Sequence, residues 1–594
     1  MFLKKIPNKK TGRVYLQISY GYRDKDGKAK SKAYQKLGYL DELEKQMDDP
    51  IAYYTEYAKT CSAEAEREKT VKVEIRADEQ LEKGGGSLKN YGYAALSKIY
   101  HELELDRFFN NKRRHERFKF NSESIVRLLA FSRVLYPHSK KHTLELKERF
   151  FDGFDFTLDD IYSSLAHLSE CAEDAQRHIH EMVAAQYGRD ASLIYYDVTN
   201  YYFETDRQGG DRKKGYSKEH STGPIVQMGL AIDSKGIPMA YKTFPGNTVD
   251  CETYIPALKQ IKKEYGVGRA VVVADKGLNC GDNIVFSSAL GDGYVFSQSV
   301  RGGSAEFKSY VVSESGYSKP ADDGFKVKSR VLPVTAKITA GTTKKGNKSK
   351  KSVRLEAQKQ VVFFSPKYAK RARAQRAEAL EKAADLIANP SKYTKATHYG
   401  AAAYVKNLEF DKDSGEIVET GKKLSLDAAM VAEEEKYDGY YAIATSETGE
   451  SDGRIIEMYR GLWKIEESFK LTKSVLRTRP VYVRRDDHIG GHFLICYIAL
   501  LLLRLVELRL GGRFPAARIV ESMRSANCVR LDRNLYLFHY ADEITEAICG
   551  AFGTGMDRRV MTLGQIKSCL GGAKKRPPGD KRRRGAAASP GRCG

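Results

Sequence analysis

The chain lacks any ordered use of cysteine. Its nine cysteines are scattered, with no C-x-x-C and no paired spacing. That excludes a disulfide scaffold and a zinc-finger array, and it suits a reducing compartment. Long hydrophobic runs are missing too. The longest, Phe493 to Leu503, is ended by Arg504 and is well short of the roughly 18–20 apolar residues a membrane span needs. It reads as a buried core helix, and no membrane partner is expected. The opening MFLKKIPNKK has no apolar core, so no signal peptide is expected and the reading is cytoplasmic. Tryptophan occurs once, at Trp463. Acidic residues are in deficit: 77 Asp and Glu face 100 Lys and Arg, for a net charge of +23. That balance favours a polyanionic partner, nucleic acid first, bound in a salt-sensitive way because each neutralised phosphate releases counterions.

What is present divides into blocks, and 594 residues have room for two to four domains. Residues 1–45 read as a small basic β hairpin module, with strands at 14–20 and 33–38 and a turn at Lys25-Asp26-Gly27. Residues 46–187 read as helical, with Gly84-Gly85-Gly86 as a linker. Residues 188–299 change character: three hairpin-like strands, a helix near 253–265, then the buried strand Ala270 to Ala274. That order is expected of an RNase H-like core. Residues 300–440 read as a β-rich insertion with a Lys/Gly/Ser tip at 344–352. Residues 441–510 return to the core, 511–570 read as helical, and the basic tail 571–594 reads as disordered. The fold class expected is therefore α+β, multidomain, around an α/β core.

Three carboxylates stand out. Asp197 and Asp275 each follow four apolar or aromatic residues, so each is expected at the C-terminal end of a buried strand. A turn-initiating Asp would read the same way. Glu466 lies in a helix where Tyr459, Trp463, Glu466, Lys470 and Lys473 fall at offsets 0, 4, 7, 11 and 14, one face at 100° per residue. Ile456, Leu462, Ile465 and Phe469 supply the apolar side. Spacing alone leaves open a plain surface helix with pairs such as Glu466–Lys470. Three carboxylates without His or Cys suit a hard cation such as Mg²⁺, and two such ions can serve in-line phosphoryl transfer. Lys470 and Lys473 are placed to neutralise phosphates and Tyr459 to hydrogen-bond one, while Trp463 reads either as a stacking platform for a base or as a core anchor. Lys213, Lys214 and Lys218, in the Gly-rich loop after Asp197, are expected to follow the DNA backbone. His488 and His492, four apart, lack the third ligand and the Glu of a zinc motif.

The helix resembles the Y-x2-R-x3-E-x6-K signature of bacterial insertion-sequence DDE transposases. Tyr459, Glu466 and Lys473 fall on its Tyr, Glu and Lys, while Leu462 stands where the signature has Arg. The strings YDGYYAIATSE (437–447), RPVYV (479–483) and DDHIGGHFLICYIAL (486–500) extend the resemblance, which reaches from the N-terminal hairpin to about residue 545. The resemblance implies a triad of Asp197, Asp275 and Glu466 binding Mg²⁺, with Mn²⁺ as a substitute and two ions. Asp275-Lys276-Gly277 matches the family's basic residue and Gly after the second Asp. Glu467 is the rival acid, about 100° off the face. The resemblance also implies cleavage at element ends and strand transfer into target DNA by a homodimer on terminal inverted repeats. Two readings keep the fold and change the activity: a nuclease without strand transfer, and a decayed DNA-binding relative.

Overall fold

In the computed structural model the described residues are 1–8, 11–23, 29–67, 88–114, 116–215, 223–318, 323–342, 348–393, 400–410, 417–418, 423–532 and 534–575. Lys218, the turn at Lys25 to Gly27, the triglycine linker, part of the Lys/Gly/Ser tip and the tail beyond Lys575 lie outside them; Gly571 to Ala573, expected in the disordered tail, instead close the helix Leu563–Ala573. The chain forms two units, Met1–Gly85 and Gly86–Gly594.

The first unit is an antiparallel sheet of β1 (Phe2–Pro7), β2 (Val14–Arg23) and β3 (Ala29–Tyr39), in that order. Leu16 and Ile18 of β2 are fully buried, and the helix Pro50–Arg67 packs against β1. The expected hairpin thus has a third strand. Lys4 and Lys5 interrupt the apolar alternation of β1 and hide it from pattern reading.

The second unit opens with β4 (Leu88–Asn90) and a set of helices running to Tyr187. Thr157 and Asp160 form a reciprocal cap at the start of the helix Leu158–Glu170, each satisfying a backbone N–H that the helix start leaves unpaired. The central sheet follows. Its strands are β5 (Leu193–Tyr202), β6 (Ile225–Ile232), β7 (Pro238–Pro245), β8 (Val271–Ala274), β9 (Gly293–Gln298), β10 (Lys326–Thr342) and β11 (Lys348–Phe364). Four two-residue strands come next, β12 (Val405–Lys406), β13 (Glu409–Phe410), β14 (Ile417–Val418) and β15 (Ser425–Leu426), and then β16 (Tyr440–Thr445). The spatial order is β10-β11-β16-β9-β8-β5-β6-β7. β5, β8 and β9 run parallel to one another; β5-β6-β7 is an antiparallel meander. Parallel strands need crossovers, and the helices Asp250–Tyr265 and Gly281–Ala289 supply them. The block expected as an insertion extends this sheet, because β11 and β16 add to the free edge of β9.

The helix Asp486–Arg509 is apolar all round. By length and composition it could cross a membrane, yet its most apolar stretch is 94% buried in the fold. The IGG of its first half has a packing cause. A Cβ on Gly491 would lie 2.1 Å from the Leu165 carbonyl oxygen, and one on Gly490 would lie 2.0 Å from Ser169 Oγ. Only glycine lets the helix Leu158–Glu170 come this close. Beyond Leu510 the part expected to be helical has three helices and also three strands. β17 (Asn527–Asp532), β18 (Leu535–Phe538) and β19 (Val560–Thr562) join β4 in a four-stranded sheet. The pairing Asn527 opposite Asn90 joins residues too far apart in sequence for local patterns to reveal.

Candidate active site

Asp197 is in the middle of β5, not at its end. The strand continues to Tyr202 because β6 pairs with it throughout, Asp197 opposite Leu230 and Tyr202 opposite Ile225. The parallel pairing with β8 stops earlier, at Tyr195 opposite Val273. Asp275 follows β8 and is still extended, with φ −79 and ψ 170. Carrying the register on by two residues sets Asp197 level with Asp275 on strands about 4.8 Å apart. Side chains alternate along a strand, and burial fixes which way these two acids face. Ile194, Tyr196, Val198, Val272 and Ala274 enter the core with the crossover helices. Tyr195, Tyr201, Val271 and Val273 enter the larger core on the opposite side, and by alternation Asp197 and Asp275 face that side.

Asp275 is fixed by two donors. The Ser297 hydroxyl donates to its Oδ1 at 2.9 Å, and the Tyr459 hydroxyl donates to the same oxygen at 3.4 Å. Burial, reinforced by the Asp275 charge, pushes the Tyr459 phenol far above its usual value, so it remains a donor. Tyr459, expected at a phosphate, has its hydroxyl on the second carboxylate.

The helix carrying Glu466 is not one continuous helix. Asp452–Arg460 ends in a turn at Gly461 and Leu462, Trp463–Lys470 follows, and a π turn spans Leu471–Val475. The two breaks shift the phase of the face expected from ideal spacing. A Cβ on Gly461 would lie 1.9 Å from the Tyr195 hydroxyl, and at the other end Tyr201 Oη is 2.8 Å from Thr472 Oγ1. These contacts lay the Glu466 segment along β5 and bracket Asp197. Glu466 is exposed, next to the buried Leu462, Ile465 and Phe469. Its carboxylate has no partner among the described residues. Glu467 points elsewhere and pairs at 3.5 Å with the buried Arg504, which also holds Ser468 Oγ at 2.9 Å and Glu507 at 2.7 Å. Arg504 thus locks this helix to Asp486–Arg509. Among the described residues no three acidic, His or Cys side chains close into a metal-sized group. The paired Asp carboxylates are oxygen donors of the kind a hard divalent cation takes.

A family model described as Transposase DDE domain matches residues 190–502, more than half of the chain. The chain belongs to the DDE transposases. It is a DNA transposase, an enzyme that cleaves DNA and transfers strands, in a family that works with divalent metal ions. A second model, the IS1634 family transposase N-terminal domain, matches residues 3–70. No curated protein matches. Among solved structures, a piggyBac transposase synaptic complex with hairpin DNA is similar at 8% identity over 69% of this chain and 80% of its own, with a TM-score of 0.29. A Mos1 transposase paired-end complex with left transposon end is similar at 10% identity over 42% of this chain and 69% of its own, with a TM-score of 0.13.

The other residues singled out from the sequence of this transposase separate. Trp463 is 57% exposed, so it is not a core anchor. Lys470 is exposed and Lys473, in the π turn, is half-buried. Lys213 is tied by its backbone to Ile225, with N–O distances of 3.2 and 2.9 Å, while Lys214 is exposed. His492 is buried between the Thr478 carbonyl and Lys140, each at 3.2 Å, and His488 stacks on Tyr162, so the two do not form a zinc pair. The segment RPVYV is held to the end of β5 by the Val481 N–H on the Tyr202 carbonyl at 3.0 Å. Val481 and Val483 are buried, and Tyr482 between them is 61% exposed.

Sequence reading missed Ser297, and of the β10–β11 ribbon it marked the β character and the basic tip but not where the ribbon lies. The ribbon leaves the sheet beside the Asp275 turn. Asp282 holds Thr339 there, accepting from its N–H at 2.8 Å and its hydroxyl at 3.1 Å. Thr335 pairs with Arg354, Lys337 with Ser352 and Thr339 with Lys350, so Lys337, Lys350 and Arg354 share one face, and all three are exposed. From Val331 to Leu355 the sequence has Lys337, Lys344, Lys345, Lys348, Lys350, Lys351 and Arg354, and no acid. That run of like charge was the available signal.

Proposed function

We propose that Asp197, Asp275 and Glu466 are the catalytic triad of this transposase, on an RNase H-like core formed by β5 to β9 and their crossover helices. The observation carrying this reading is the placement of both Asp residues on one face of adjacent parallel strands, beneath a helix that bears Glu466 and is bracketed by Tyr195 and Tyr201. Asp197 and Asp275 would hold Mg²⁺, two ions with Mn²⁺ as a substitute, and Glu466 joins them from the helix. When bound, such ions supply a nucleophilic oxygen at neutral pH and compensate the charge of the leaving oxygen. Ser297 and Tyr459 keep the Asp275 carboxylate aimed and leave its other oxygen open. Lys470, Lys473, Lys213, Lys214 and Lys218 neutralise phosphates near the cut, and exposed Trp463 offers a ring to an unstacked base. Lys337, Lys350 and Arg354 continue that track along the ribbon, a two-stranded element that fits a major groove. The DNA is the terminal inverted repeat and then the target, and the enzyme acts as a homodimer on paired ends.

The test is cleavage of a labelled duplex carrying the element's own terminal repeat, with Mg²⁺ or Mn²⁺. Wild type cuts at the repeat boundary. Asp197→Ala, Asp275→Ala and Glu466→Ala each bind the duplex and leave it intact. Normal cutting by any one variant removes that residue from the triad. Tight binding without cutting by wild type moves the protein to the decayed reading.

A further inference from the structure

Two of the scattered cysteines meet beside the candidate active site. Cys251 is in the first turn of the helix Asp250–Tyr265, and Cys280 is the N-cap residue of Gly281–Ala289, five residues after Asp275. One buried amide ties their surroundings together: Asn283 Nδ2 donates to the Cys251 carbonyl at 3.0 Å and to the Leu278 carbonyl at 2.9 Å. Asp250 lies against the same turn, its Oδ2 3.6 Å from where a Cβ on Gly277 would be. Both thiols are half-buried and neither is in a disulfide, and the Cys251 side chain acts on the Cys280 thiol from within hydrogen-bonding reach.

Cys280 differs from the buried Cys171 and Cys528. Burial pushes the Cys171 and Cys528 thiols up to about 12, which makes them unreactive at neutral pH. Cys280 goes the other way: the hydrogen bond from Cys251, helped by the backbone of Asn283 and Asp282, outweighs burial and draws it down to about 7. A thiolate at a helix N-terminus, next to a second thiol and accessible to solvent, is the reactive form of cysteine.

We propose that Cys251 and Cys280 are an oxidisable dithiol, closing to a disulfide under peroxide and reopening under a thiol reductant. The Cys280 thiolate attacks a peroxide oxygen, the O–O bond breaks, and a sulfenic acid and one water result. The Cys251 sulfur then attacks the Cys280 sulfur, forming the S–S bond and releasing the second water. Two thiols lose two protons and two electrons, and the peroxide takes both up. The bond pulls the turn after Asp275 onto the helix Asp250–Tyr265, while metal ligands tolerate displacements of only about 0.5 Å. Oxidation therefore switches cleavage off. That consequence rests on the assignment of Asp275 above; the disulfide does not.

The experiment treats the full chain with hydrogen peroxide and follows two readouts, a non-reducing peptide map and cleavage of the terminal-repeat duplex. The expected map contains a 251–280 linked peptide lighter by two hydrogens, absent from Cys251→Ser and Cys280→Ser. Cleavage is expected to fall at least about tenfold in wild type, return with dithiothreitol, and stay at its untreated level in Cys251→Ser. A map without the linked peptide overturns the dithiol. A linked peptide with unchanged cleavage overturns the coupling to Asp275. If reduced wild type does not cut at all, the triad assignment fails, and the map still decides whether the dithiol exists.

Discussion

Asp275 owes its aim to two neutral hydroxyls that share one of its oxygens, and this is where single substitutions are most informative. Ser297→Ala and Tyr459→Phe each remove one donor and leave the carboxylate itself. Residues that orient a metal ligand are worth about 10–100-fold in affinity or activity. The double variant should therefore cleave about 10–100-fold more slowly at limiting Mg²⁺ and recover in part as Mg²⁺ is raised, read as rate against metal concentration. A rate loss that extra Mg²⁺ leaves untouched would assign the pair a structural role. At this scale the sequence was informative where chemistry is local. The short apolar runs before Asp197 and Asp275 marked both acids. It misplaced Asp197 within its strand because β6, more than twenty residues on, decides where β5 ends. It missed Ser297 because a lone Ser on a buried strand has no signature.

The elements show what the ideal helical face left out. Glu466 and Glu467 are adjacent in sequence, yet one is exposed beside β5 and the other is paired with Arg504. Glu467→Gln should keep cleavage and cost less than about 1 kcal/mol, since that carboxylate is 35% exposed and such pairs are screened. Arg504→Met leaves Glu467 and Glu507 without their cation in a largely buried place and should cost about 3 kcal/mol in urea unfolding. A Glu467 variant that folds and does not cut would reverse the assignment of the third acid. The same scale holds the ribbon. Replacing Lys337, Lys350 and Arg354 together by Ala removes three exposed cations on one face. Affinity for duplex should fall, and the slope of log K against log salt should flatten by up to about 3, near 0.9 per phosphate contact, with the melting temperature unchanged. An unaltered slope would place the DNA elsewhere. Strong local patterns made the ribbon visible as strands. Its docking through Asp282 is a tertiary contact, and no pattern encodes it.

At the scale of the whole molecule the chain is strongly basic outside and keeps several histidines neutral inside. His180 is 9% exposed and stacks on Tyr265, with ring centroids 4.6 Å apart. Burial, with a further push from Arg189, brings its imidazole down to about 4. His101, His167 and His492 are also held below the usual range, each mainly by burial. An unfolded histidine takes up its proton near pH 6.5. Below that, the unfolded chain binds protons that the folded chain refuses, so stability drops as pH falls. The contribution is complete above pH 6.5, erodes between 6.5 and 4, and then levels off once His180 titrates in the fold. For His180 alone the loss amounts to about 3 kcal/mol across that window. Melting curves from pH 8 to 4.5 should be nearly flat down to 6.5 and then descend. His180→Gln should start from a lower melting temperature, since it gives up the stack on Tyr265, and descend less steeply, because one group that must charge on unfolding is gone. Parallel descents for the two proteins would show that His180 titrates normally in the fold and that the acid sensitivity belongs to the other buried histidines.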